Sequence, residues 1–550
     1  MMHRIQLISC LFILCGMMGM GHGSTNLAEA QSEAQPELQI DPLLIAQAAE
    51  VWKVIAQPNN PVWPGWNAAS TPLLFYFPEV QDVLINHPQP PEGFQRYTGS
   101  VTFPGGAIYI RNGRTFFEFD GQNTAVDVAG VKTLVVADTL SNRRSQMIGW
   151  LSNPRAHQSK SSELRWHQLQ GNPYATICMI AHEAFHVFQL KQAPQKAGHE
   201  DALARYPAIV AANTIGLALE GDALGRALRS KSNADLRRYA LEWLAIRKER
   251  RSALAPEAAD YEDRMEFLEG LAKYIEYRLL EVLEGRTSGP AMVWLQGFHG
   301  YKDLAKEREQ LVQMMEKMMR GEADVNNDPY GASPVSMRHY FSGMAIGVLL
   351  DRLNIDWKNR IFQAETTLTQ LATEALKPTE AELSSAAKVT RNQPGYAELV
   401  EAKRKLEMDG DRATRALVDQ IESGPQTTLV IDYAKLGTAR PGMAYTPFGI
   451  LRVSDERTIY RLIPITAKIG DTTMRQTMLS PLLHDRSQKQ ILFQLSEQVT
   501  LEELEKQLRQ RLSSPEPITI KEVVLPGVKL SGGKCKVSMI DRRIQVELVR

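Results

Sequence analysis

The chain has 550 residues, with 63 Lys+Arg against 63 Asp+Glu, so its formal charge is zero; 43% of residues are hydrophobic and 23% charged. That balance is ordinary for a globular chain and excludes a collagen-like fibre, a charged disordered tail and a multi-pass membrane protein. It also lacks the net basic surface of a dedicated nucleic-acid binder, so no nucleic-acid partner is expected, and four cysteines are too few for a disulfide scaffold.

Residues 1–4 end in a positive charge at Arg4, residues 5–20 are uncharged and mostly apolar, and Ala28-Glu29-Ala30 offers a small-x-small cleavage site. An apolar run of about 16 residues is short for a membrane-spanning helix, and the order of the three parts is that of a secretory signal peptide. Residues 1–30 are therefore expected to be removed, leaving an exported chain, periplasmic or secreted rather than membrane-anchored, with no transmembrane span. Leu7-Ile8-Ser9-Cys10 leaves almost no apolar stretch before its cysteine, so lipidation is the lesser option.

Residues 31–172 begin with a helix near 42–56 and then change character. Turn signals at Trp63-Pro64-Gly65-Trp66, Pro88-Gln89-Pro90-Pro91 and Phe103-Pro104-Gly105-Gly106 separate β-type runs at 73–77, 107–110, 115–119 and 131–136. Asn112-Gly113 between two of them is a hairpin signal. A small mixed or antiparallel sheet is expected, forming one unit with the helical stretch after residue 172.

Residues 173–424 read as almost entirely helical, with candidate helices at 174–191, 203–229, 233–253, 257–284, 303–321, 336–354, 360–376 and 394–422. Apolar residues recur at helical spacing, as in Leu268, Leu271, Ala272, Ile275 and Leu279, and Pro194, Pro256, Gly285, Gly321 and Pro334 mark breaks. Residues 425–550 return to strands at 429–433, 459–465, 491–495, 518–525, 537–540 and 544–549, with one helix at 500–512. The expected class is α+β: a small N-terminal sheet, a mainly helical middle and a C-terminal β-rich domain.

The chemistry lies in Ala181-His182-Glu183-Ala184-Phe185-His186, an H-E-x-x-H pattern within an apolar helical run. Spacing i, i+4 puts two imidazoles on one helix face a turn apart, within reach of one tetrahedral cation, and Zn²⁺ suits such a pair. Glu183 lies about 100° around the helix, where it can take a proton from a zinc-bound water. With 11 His in 550 residues, chance placement gives roughly 0.03 occurrences of the pattern. Two satisfied core histidines are the plainer reading. Burying His, Glu and His unpaired in so apolar a helix would cost several kcal/mol, which favours the metal.

A catalytic zinc takes three protein ligands and keeps a fourth position open. Position 192, six beyond His186, is Gln192, which argues against a third histidine there. Further on, Glu269-Gly270-Leu271-Ala272-Lys273-Tyr274 has the form E-G-x-A-x-Y. Together the two motifs resemble the gluzincin group of zinc metallopeptidases over about residues 173–284. That resemblance implies a zincin-like helical catalytic region, His182, His186 and Glu269 as zinc ligands, Glu183 as general base, and a peptide or protein substrate. The gap of 83 positions between His186 and Glu269 is longer than in compact versions of the pattern. Leu219-Glu220-Gly221-Asp222-Ala223 has the same E-G-x-A form, which makes Glu220 a rival ligand or a partner orienting a histidine.

The resemblance also implies an edge strand beside the His-bearing helix to hold substrate, for which 131–136 is the nearest upstream strand. An oxyanion donor is expected too, with Tyr340, His339 and Tyr274 as candidates. His157 and His167 fall in a polar stretch and are given no role. Arg247-Lys248-Glu249-Arg250-Arg251 is read as a basic helix end that suits the helix dipole. Met314, Met315, Met318 and Met319 are read as core filling, and Cys178 as a buried thiol. The first expectation is thus an exported zinc peptidase. The alternatives are a non-catalytic envelope binding protein with a structural or vestigial zinc site, and the same chemistry on another amide or ester. Oligomeric state is not legible.

Overall fold

The computed structural model describes residues 37–77, 80–113, 123–138, 172–197, 200–203, 205–322, 335–438, 441–444, 449–461, 464–508 and 516–549. The leader-like run at 1–30, the expected strand 115–119, Pro334, His157 and His167 lie outside them.

Helix α1 (Pro42–Ile55) starts at Asp41, whose side chain accepts from Leu43 N, and buries Leu44, Ile45, Val51 and Trp52. Six strands follow: β1 (Leu73–Phe77), β2 (Gln81–Ile85), β3 (Gln95–Arg96), β4 (Ile108–Asn112), β5 (Thr124–Val128) and β6 (Val131–Ala137). They form one mixed sheet in the order β3-β4-β2-β1-β6-β5, parallel at β1–β6 and antiparallel elsewhere. The strand expected to be an edge, β6, is internal: it pairs with β1 on one side and β5 on the other, so among the described residues β5 is the outer strand.

Helix α2 (Pro173–Gln192) packs against β5 and β6. Asn172 caps it, accepting from Tyr174 N at 2.9 Å, and Pro173 opens its first turn. Then come α3 (Glu200–Leu203), α4 (Ala211–Arg229), α5 (Asn233–Ser252) and α6 (Pro256–Met265). A π-helical turn, Glu266–Gly270, joins α6 to α7 (Leu271–Leu283) in one continuous helix. The series continues with α8 (Ala305–Arg320), α9 (Val335–Arg352), α10 (Leu368–Leu376), α11 (Glu380–Arg391) and α12 (Tyr396–Ser423). Two expected helices are shorter than their periodicity suggests. Residues 203–210 are not part of α4, and α10 starts only after Thr367, which caps it. One helix, α11, was not expected, although Thr379 and Glu382 form a capping box at its start. α1, the first sheet, α2, the π turn, α7 and α9 share a single apolar core.

The C-terminal strands are β7 (Thr428–Asp432), β8 (Gly442–Ala444), β9 (Ile450–Arg452), β10 (Arg457–Tyr460), β11 (Thr466–Ile469), β12 (Thr472–Gln476), β13 (Leu482–Asp485) and β14 (Gln490–Gln494), then β15 (Ile518–Thr519), β16 (Glu522–Leu525), β17 (Val528–Ser531), β18 (Lys534–Ile540) and β19 (Arg543–Val549). They make an eight-stranded sheet, β15-β18-β19-β7-β14-β13-β10-β9, and a five-stranded one, β16-β17-β12-β11-β8, around their own core. A short helix, α13 (Leu501–Leu508), precedes β15. The long helix α12 touches both parts, packing with α4 and laying Val418 and Ile421 against Val430, Leu483 and Leu492 of the eight-stranded sheet. The fold is α+β, with a helical middle and a β-rich C-terminal part. No helix among the described residues is long and apolar enough to cross a membrane.

Candidate metal centre

The two imidazoles of α2 meet a carboxylate from the π turn. Glu269 Oε2 lies 3.2 Å from His182 Nε2 and 3.4 Å from His186 Nε2, and one ligand atom from each of the three residues falls within 4.8 Å of the others. Donors on a tetrahedron with Zn–N and Zn–O arms of 2.0–2.1 Å stand about 3.3–3.4 Å apart, so these separations fit a cation between the three side chains. An imidazole N–H spans the same gap, so the cluster holds either protons or a cation.

The outer ring nitrogens are also fixed. His182 Nδ1 meets Glu276 Oε1 at 2.8 Å, and Lys273 Nζ neutralises that carboxylate at 2.8 Å. His186 Nδ1 meets Gln189 Oε1 at 3.0 Å, while the Gln189 amide donates to Phe267 O at 2.7 Å. Acceptors on both Nδ1 atoms favour the tautomer that leaves Nε2 free to bind, the arrangement found around metal-ligating histidines.

Electrostatics at the cluster favour positive charge. Burial opposes protonation of His182, but the hydrogen bonds its ring donates to Glu269 and Glu276 outweigh it and lift the ring to about 10. His186 is raised as well, its burial overcome by the charge of Glu269. Glu269 goes the other way: burial disfavours its carboxylate, yet the two histidines hold it well below the usual range. Glu183 is pushed up by burial, against the pull of His186 and His182. The carboxylates that hold protons on both rings also make the pocket electronegative, so a divalent cation would have to displace those protons to bind the Nε2 atoms.

No family model, no curated protein and no solved structure matches this chain. The functional reading rests on the residues themselves.

Of the expected site residues, the fold brings together His182, His186, Glu183, Glu269 and Tyr340. The Tyr340 ring stacks on His182 at 6.1 Å between centroids, with its hydroxyl close enough to Glu269 to feel that charge. Burial, reinforced by Glu269, keeps that phenol protonated.

Glu220 is elsewhere. It is fully buried, with Oε2 3.0 Å from Arg247 and Oε1 2.6 Å from Arg250. It neither joins the histidine cluster nor orients a histidine; Glu276 does the latter, a role its sequence position did not suggest. Tyr274 is also outside the cluster: its ring packs between Trp63 and Trp357, and its hydroxyl donates to Asp351 at 2.5 Å. His339 sits between Tyr206 and Tyr261, where burial pushes it down to about 4.

Gly270 faces α9, where an added Cβ would stand 2.6 Å from Gly343 Cα. Two other expectations change. Arg247 and Arg250 do more than complement the helix dipole: they are buried against Glu220, Glu262 and Glu266. Met315, Met318 and Met319 are buried as expected, whereas Met314 is exposed. Cys178 is buried and donates to Glu276 O at 3.7 Å.

Proposed function

We propose that the chain is an exported zinc-dependent hydrolase acting on peptide or protein substrates, a metallopeptidase of gluzincin type. The observation that carries this reading is the convergence of His182, His186 and Glu269 from two helices, with Glu183 on the same turn as the histidines. His182, His186 and Glu269 would hold the metal. A bound Zn²⁺ supplies acidification of a coordinated water and polarisation of a carbonyl.

The chain's own groups do the rest. Glu183, its carboxyl raised by burial, accepts the proton of the attacking water at its carboxylate and returns it to the departing amine. Tyr340, held protonated beside Glu269, donates its hydroxyl hydrogen to the oxyanion that forms. Glu276 and Gln189 keep the rings oriented, so no reorganisation is needed as charge develops. Strand β5, packed beside α2 and outermost in its sheet among the described residues, offers its outer edge to an extended peptide.

Three donors among the described residues leave a coordination position open, which favours hydrolysis over the closed site of a purely structural zinc. The resemblance of the two motifs to gluzincins favours a peptide over another amide or ester, and the leader-like residues 1–30 support export. The test is Glu183→Gln: zinc content should match the parent while peptide hydrolysis is lost by about 10²–10⁴-fold. Undiminished hydrolysis in that variant overturns the mechanism.

A further inference from the structure

Glu266 stands three residues before Glu269 on the same π turn, yet it faces a different set of partners. It is 1% exposed. Ser342 Oγ on α9 donates to its Oε1 at 2.5 Å, and an Arg247 guanidinium nitrogen on α5 holds its Oε2. Arg247 is itself fixed, by Glu220 at 3.0 Å and by Thr369 Oγ1 at 2.8 Å. α9 also crosses the turn with almost no side chain between: an added Cβ on Gly343 would lie 2.7 Å from Glu266 O.

A π turn carries an extra residue and is seldom favoured by local sequence alone, so it persists where surrounding contacts select it. The insertion rotates everything on one side of the turn by about 100° relative to the other. Here Glu266 keeps its register against Arg247 and Ser342 while Glu269 and Glu276, seven residues apart, both reach His182. Removing the extra residue would satisfy one set of partners and turn the other away.

We infer that Ser342 and Arg247, through Glu266, are positioning residues that hold the π turn in the register presenting Glu269 to both imidazoles. The buried Glu220–Arg247–Glu266 chain is then a frame for the third ligand rather than only a packing device. This inference rests on the metal-centre reading above.

The experiment titrates the full chain with Zn²⁺ against a fluorescent chelator and records the visible spectrum of the Co²⁺ form, below the melting range of each variant. The parent should bind both ions. Ser342→Ala should bind Zn²⁺ about 10-fold more weakly, the size of effect seen when outer partners of a metal site are removed, with an altered Co²⁺ spectrum. Ser342→Thr, which keeps the hydroxyl, should restore both. Glu266→Gln should lose at least as much affinity as Ser342→Ala. If a folded Ser342→Ala binds Zn²⁺ and Co²⁺ as the parent does, Glu266 does not position the ligand and the inference is wrong, whatever happens to stability. If the parent takes up neither ion, the metal-centre reading fails and the inference falls with it.

Discussion

Glu276 Oε1 lies 2.8 Å from His182 Nδ1, so the first histidine of the motif is gripped on both nitrogens by carboxylates of one helix, Glu269 from the π turn and Glu276 two turns later. Because Glu276 fixes the tautomer without contributing to the donor cluster, its loss should weaken the metal rather than abolish the site. Glu276→Ala should lower zinc affinity about 10–100-fold, measured by chelator competition. An unchanged affinity would mean the contact is incidental.

The two tyrosines proposed from sequence should separate cleanly. Tyr340→Phe removes the hydroxyl beside Glu269 and should cut kcat about 10²–10³-fold with zinc retained. Tyr274→Phe removes a buried bond to Asp351 and should cost about 1–3 kcal/mol of stability with kcat intact. Steady-state kinetics with melting curves decide between them, and equal kcat effects would place both in the wrong role.

Glu220 and Glu269 share the same local motif but should fail in opposite ways. Glu220→Ala leaves Arg247 and Arg250 short of a buried counter-charge and should cost about 3–5 kcal/mol, while zinc still binds, weakened no more than in Ser342→Ala because only the outer end of the Arg247–Glu266 frame is lost. Glu269→Ala should lose zinc. Metal content of the two purified variants, with their denaturation midpoints, is the check; zinc lost only from Glu220→Ala reverses the assignment.

The C-terminal part should be acid-sensitive through His484. The ring is buried, its Nδ1 has no partner among the described residues, and its Nε2 lies 2.7 Å from the Tyr433 hydroxyl, which donates to it in the Nδ1-protonated neutral form. Burial, aided by Arg486 and opposed by Asp485, pushes its pKa to about 4, against about 6.5 when unfolded. The unfolded chain therefore binds the proton first. The contribution is complete above about pH 6.5 and is lost as pH falls towards 4. Melting temperature between pH 7 and 4.5 should drop less steeply in His484→Gln than in the parent; parallel curves would contradict this.

Much of this protein is local. The i, i+4 histidines, the Asn172-Pro173 start of their helix, the break at Pro256 and the left-handed cap at Gly321 are readable because each depends on backbone conformation within one or two turns. The pairing of β6 between β1 and β5 was not readable. Strand periodicity says which face is buried, not which neighbour supplies the hydrogen bonds, and β2 and β5 carry Gln81-Asp82 and Asp127 within five residues, so neither shows the unbroken apolar run of β1. The capping box of α11 was legible but short of an apolar face strong enough to single it out.

Sequence alone therefore determined that two imidazoles and a glutamate share one helical turn, and that the chain divides into sheet, helical and β-rich stretches. Only the tertiary structure decided what completes the turn. Glu220-Gly221-Asp222-Ala223 and Glu269-Gly270-Leu271-Ala272 are equivalent as local sequence, yet one carboxylate meets buried guanidinium groups and the other meets imidazoles. The physical reason is that a buried charge takes its role from the opposite charge that packing delivers to it, and those partners lie between 27 and 87 residues away along the chain.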